Sequence, residues 1–143
     1  MRVLRSAQVG IVVAVDDGLV VPVIRDADAG PLVQLVARRQ ELVEAAHGHR
    51  LRPADLQGGT FTISNLGMLG IDAFQAILNP PQAAILAVGR VCERWVVIDG
   101  HLVARPMLTL TVSFDHRVVD GARGARFFET VAAFVEEPAV LIE

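Results

Sequence analysis

The run VGIVVAV at residues 9–15 commits the start of this chain to a β-sheet. Four valines and an isoleucine in seven positions favour an extended backbone. The absence of polar alternation predicts a strand covered on both faces. Asp16-Asp17-Gly18 reads as a turn, and LVVPVI (19–24) as the returning strand. Pro22 has no N–H to give to a ladder, so it belongs at an edge or an unpaired position. The two arginines ahead of the run, in MRVLRSAQVG, give it a faint look of a secretion signal. Gln8 and Gly10 interrupt it, no small-residue cleavage pattern follows, and the strand-and-turn reading is preferred. No apolar run reaches the roughly 18 residues that cross a membrane.

The rest of the chain mixes helices and strands. RDADAGP (25–31) leads into a helix, with Pro31 in its first turn. Leu32, Leu35, Val36, Leu42 and Val43 form an approximate stripe to about Ala46, and Gly48 is its stop. His47 and His49 flank that glycine, but two histidines without a third ligand nearby read as a solvated helix end. LRPADLQGG (51–59) is a turn segment. TFTISN (60–65) alternates, with Phe61 and Ile63 on one face and Thr60, Thr62 and Ser64 on the other. LGMLG (66–70) is a glycine-punctuated loop, and NPP (79–81) breaks the chain again. AAILAVGRV (83–91) and WVVI (95–98) are strands, and Asp99-Gly100 predicts a hairpin pairing WVVI with HLVA. MLTLTVSF (107–114) is a further strand, and GARGARFFETVAAFVEE (121–137) an amphipathic helix ended by Pro138. No internal repeat or linker is present, so the 143 residues are expected to form one α+β domain with a mixed sheet and flanking helices.

Composition excludes several kinds of chemistry. All 13 basic residues are arginine, so there is no lysine for a Schiff base, a phosphate loop or a tethered lipoyl or biotinyl group. A net charge of −3 without a basic stripe argues against nucleic acid. Cys92 is the single cysteine, which rules out an intrachain disulfide, fits a reducing, cytoplasmic compartment, and reads as a strand residue. With 52% hydrophobic residues, the chain carries more apolar side chains than one small core holds, and a subunit interface is the expected destination.

SFDHRVVDGA (113–122) concentrates the candidate chemistry. His116 follows a strand end and precedes a helix, in the kind of loop where catalytic groups sit. Asp120 is a favoured N-cap for that helix, a role compatible with supporting a catalytic loop. Ser64, His116 and Asp120 together supply the ingredients of a serine-hydrolase triad. Ser64, however, lies in TISNLG rather than a G-x-S-x-G elbow, which argues against one.

DHRVVDGA resembles the H-x-x-x-D-G signature of the coenzyme A-dependent acyltransferase superfamily. GGTFTISNLGMLGIDAFQAILNPPQAAILAVG (58–89), VAVDDGLVVPVIRDAD (13–28) and RFFETVAAFVEEPAVLI resemble the matching stretches of the 2-oxo acid dehydrogenase acyltransferases. The resemblance covers nearly the whole chain. It implies a chloramphenicol-acetyltransferase-like fold with its N-terminal half absent, so that residues 1–143 are a partial catalytic domain without lipoyl or peripheral-subunit-binding domains. It implies acyl transfer between coenzyme A and the thiol of dihydrolipoamide, without a metal, the lipoyl group being carried by another domain or chain. His116 is then the general base, Ser64 the oxyanion donor, and Asp120 an orienting residue. It also implies homotrimers or larger assemblies of trimers, a lipoyl-domain-bearing partner and other dehydrogenase-complex components, with the histidine of one subunit facing the serine of the next. The alternatives are an inactive assembly module, or another coenzyme A-dependent O- or N-acyltransferase, against which the GGTFTISNLG block speaks. With part of the domain missing, exposed strand edges and aggregation of the isolated chain are expected.

Overall fold

The computed structural model describes residues 4–141, and Ile142 of the last resembling stretch lies outside them. The N-terminal hairpin is present but bent. VGIVVAV divides at Val12 into β1 (Val9–Ile11) and β2 (Val13–Val15), and the returning strand divides around Pro22 into β3 (Gly18–Val20) and β4 (Val23–Ile24). β2 and β3 form a two-stranded ribbon, whereas β1 and β4 belong to a larger sheet. The expectation of one strand covered on both faces is therefore corrected, since Ala14 is exposed and only Gly10 and Val13 in the run are buried. The bend has a physical cause. Val12 donates its N–H to the Ile63 carbonyl and Ile11 donates to the Pro22 carbonyl, so adjacent residues pair with different neighbours. Pro22 sits between strands, as a residue with no ladder donor must.

Helix α1 (Leu32–His47) starts at Pro31 and stops at Gly48. It buries Leu42 and Ala46 but leaves Leu32, Val33 and Val36 exposed, so its apolar stripe is only half covered. A 3-10 turn over Pro53–Leu56 leads to β5 (Phe61–Asn65), and another over Gly67–Leu69 begins the crossover to β6 (Ala84–Val88). β7 (Cys92–Ile98) and β8 (His101–Met107) form a separate hairpin, β9 (Leu110–Phe114) rejoins the main sheet, and α2 (Gly121–Glu136) follows. The hairpin turn is as the sequence predicts, with Asp99 and Gly100 both in the left-handed region at φ 50° and 79°. β7 begins earlier and β9 later than the hydrophobic runs suggest, because Met107 pairs with Cys92 and closes β8.

The main sheet has the order β4-β1-β5-β6-β9. β1, β5 and β6 run parallel; β4 and β9 are antiparallel to their neighbours. α2 packs on the face carrying Phe61 and Phe114, its Phe127 ring lying 5.8 Å and 6.2 Å from theirs. The chain exposes 10135 Å². A compact monomer of 15.4 kDa exposes about 7,200 Å². The excess includes Trp95, Val97 and Leu102 on one face of the β7–β8 hairpin, which is the signature of a surface made to be covered.

Candidate active site

His116 lies in the loop joining β9 to α2, and both feet of that loop are fixed. At the first, the Asp115 N–H donates to the Ala83 carbonyl at 2.8 Å, continuing the β6–β9 ladder by one bond. At the second, a side chain at Gly124 would meet the Phe114 ring at 2.8 Å. Glycine there lets the helix lie directly on the last residue of the strand. Between the two feet, Val118 and Val119 donate their N–H groups to the Asp115 carbonyl at 2.9 Å and 3.0 Å. This closes a tight turn with His116 at its first corner and its side chain exposed.

The Asp115 carboxylate is engaged by Arg117, two residues on. It accepts the Arg117 backbone N–H at 3.0 Å and the guanidinium at 2.9 Å and 2.7 Å. Those bonds push its pKa down to about 2, the Arg117 side chain contributing most. Asp120 is the N-cap of α2. Its backbone is extended and its carboxylate accepts the Arg123 N–H at 2.8 Å. Asp120 thus fixes the helix start, and through it the downstream end of the histidine loop.

Ser64 is on β5, paired with Ala87 of β6 and 8% exposed. Two residues back on the same face, fully buried Thr62 donates its hydroxyl to the Gln82 Oε1 at 2.6 Å. Just past Ser64 the chain is held tightly. The Asn65 side chain accepts the Gly67 N–H at 2.8 Å, and Leu66 donates to the Val88 carbonyl. Gly89 has no room for a Cβ, because the Asp72 and Thr109 carbonyls occupy the space. Asp72 also pairs with Arg90 and so anchors the crossover beside β6.

These strands separate Ser64 from His116. Ser64 aligns with Ala87, and Ala87 with Thr111 of β9. His116 lies beyond Phe114, which aligns with Ala84 at the opposite end of β6. Two strand spacings and five residues of rise put the two side chains on the order of 15–20 Å apart. Within one chain they share no site, and the Ser64–His116–Asp120 hydrolase triad is excluded. A surface concavity of about 340 Å³, lined by Ile24, Arg25, Arg38 and neighbours, includes neither residue. Among the described residues no group of three metal-ligating side chains occurs, His47 and His49 included. Cys92 opens β7, half-buried, as a strand residue.

The sequence reading missed the pairing of Asp115 with Arg117. The signal was present as D-x-R at a strand end, where an aspartate folds back on the backbone N–H two residues later.

The family described as 2-oxoacid dehydrogenases acyltransferase (catalytic domain) matches residues 1–143. The dihydrolipoyllysine-residue acetyltransferase component of the pyruvate dehydrogenase complex from Rickettsia bellii is 42% identical over 142 residues, covering 99% of this chain and 34% of that protein. The chain therefore spans about a third of the length of such relatives. Among solved structures, Azotobacter vinelandii dihydrolipoamide acetyltransferase, investigated for the roles of a serine, a histidine and an asparagine in its catalytic mechanism, superposes with a TM-score of 0.91 at 40% identity. It is matched over 98% of this chain and 58% of its own. The cubic core of the pyruvate dehydrogenase multienzyme complex also gives 0.91, at 39% identity and the same coverage.

Proposed function

The chain belongs to the 2-oxoacid dehydrogenase acyltransferase family, in its catalytic domain, and on that premise we propose that it moves an acyl group between coenzyme A and the thiol of dihydrolipoamide. One observation carries the assignment of residues. In the Azotobacter enzyme the serine and histidine studied are 52 positions apart, with the asparagine four beyond the histidine. Ser64, His116 and Asp120 have the same two separations.

The chemistry suits these groups. A thiol with pKa about 8.5 is a poor nucleophile until it loses its proton. The His116 imidazole takes that proton, and the thiolate sulfur attacks the thioester carbonyl. The Ser64 hydroxyl donates a hydrogen bond to the resulting oxyanion, a contact of the kind worth about 3 kcal/mol in the transition state. Collapse of the intermediate breaks the original C–S bond, and the departing thiolate recovers the proton from His116. No metal takes part in this scheme.

Ser64 and His116 cannot meet within one copy, so the proposal requires them to meet between copies. A closed homotrimer, alone or built into a larger core, satisfies this by setting the His116 end of one sheet against the Ser64 end of the next. The exposed apolar surface supports such an assembly. The lipoyl group comes from another domain or chain, since no lysine is present to carry one. A cytoplasmic location and a place beside the other components of a dehydrogenase complex are part of the same reading. The test is acyl transfer from acetyl coenzyme A to dihydrolipoamide, with His116→Ala as the blank. A rate abolished in the variant supports the reading. Association without any rate above that blank favours an assembly module.

A further inference from the structure

The loop that carries His116 is closed by a side-chain pair for which the proposed chemistry has no use. Asp115, immediately before the histidine, is a hub. Its N–H is tied to Ala83, its carbonyl receives Val118 and Val119, and its carboxylate receives the backbone and guanidinium of Arg117. Its side chain is only 19% exposed, although that of Arg117 is 89% exposed. His116 lies between the two partners in sequence, so neither of its flanking peptide units can rotate without breaking one of these bonds. The carboxylate nearest the imidazole in sequence is also occupied. Its two oxygens already accept from a guanidinium and a backbone N–H, which leaves them less acceptor capacity for another donor.

We propose that Asp115 and Arg117 are positioning residues for His116, forming a clamp that sets the direction of the imidazole and keeps the adjacent carboxylate from folding onto it. This rests on the reading of His116 as the base. Neither residue touches substrate in the proposal. Their effect is exerted through the orientation of a turn, and errors of about 1 Å at a reacting group cost on the order of 100-fold in rate.

The test uses the full chain in its native assembly, with acetyl coenzyme A and dihydrolipoamide as substrates, and separates kcat from KM. Asp115→Ala removes both the turn acceptor and the ion pair. Its kcat is expected to fall roughly 100-fold with little change in either KM. Asp115→Asn keeps an oxygen for the Arg117 N–H and is expected to recover most of that loss, to within about tenfold of wild type. Arg117→Gln keeps the backbone bond of the turn but releases the carboxylate from the guanidinium, with an expected fall in kcat of about tenfold. An Asp115→Ala kcat within twofold of wild type, or a loss confined to KM, overturns the clamp while an inactive His116→Ala leaves the base reading intact. A His116→Ala variant at the wild-type rate overturns the base reading and the clamp with it. Should Asp115→Ala not fold, the exposed Arg117→Gln decides alone, and a wild-type kcat there overturns the proposal.

Discussion

Ser64 and His116 lie at opposite ends of one sheet, two strands apart, with β6 between them pairing Ala87 toward the serine and Ala84 toward the histidine. Every hydrogen bond of the β5–β6–β9 ladder holds that separation. Under the proposed function, that register requires the serine and the histidine to come from different copies.

The two residues should fail differently when removed. His116 is exposed, so His116→Ala should leave the thermal midpoint almost unchanged and lower kcat by roughly 100- to 10,000-fold. Ser64 is 8% exposed on a central strand. Ser64→Ala should lower kcat by roughly 100- to 1,000-fold with KM little affected, because an oxyanion donor acts in the transition state. Steady-state kinetics on both variants checks this. A Ser64→Ala loss expressed in KM alone would place the hydroxyl on ground-state substrate instead.

Asp120 should separate by the shape of its substitute. Asparagine retains the oxygen that accepts the Arg123 N–H, and an asparagine stands at the matching spacing in the Azotobacter enzyme. Asp120→Asn should therefore keep both stability and rate. Asp120→Ala should cost about 1 kcal/mol by uncapping α2, measured by urea unfolding. Equal stability of the two variants would contradict the capping account.

Asp55 should make the fold sensitive to acid. Its carboxylate accepts from the Arg52 guanidinium at 2.9 Å and the Arg52 backbone N–H at 3.0 Å, and meets Arg38 at 3.2 Å. These bonds, those of the Arg52 side chain first, hold its pKa well below the usual carboxylate range. A group depressed in the folded state stabilises fully above its unfolded pKa of about 3.9, and the contribution fades as pH falls from there toward the folded value. Wild type should thus exceed Asp55→Asn in thermal midpoint at pH 7, and the gap should shrink below about pH 4. A gap independent of pH would show that the ion pairs do not set it.

Much of this was legible in the residues themselves. Pro31, Gly48 and Asp120 mark the helix limits because each does locally what a terminus needs, and Asp99-Gly100 supplies two left-handed residues where a tight hairpin demands them. The division at Val12 was not legible. Periodicity reports which face is covered, whereas that bend arises from pairing with Ile63 and Pro22, far along the chain or across a turn. Met107 could close one strand or open the next on hydrophobicity alone, and cross-strand register decided it. The candidate residues His116, Ser64 and Asp120 were all visible in the sequence. The distance between them within one chain was not readable from spacing and entered only as an implication of the family resemblance, because distance across a sheet depends on strand order.

Mixing two inactive chains tests the central claim most directly. Ser64→Ala and His116→Ala variants, co-expressed in equal amounts, form assemblies in which about one interface in four joins an intact serine to an intact histidine. Acyl transfer from acetyl coenzyme A to dihydrolipoamide should return to about a quarter of the wild-type rate, well above either variant alone. Activity no greater than the sum of the separate variants, in assemblies shown to be mixed, would contradict a site shared between copies.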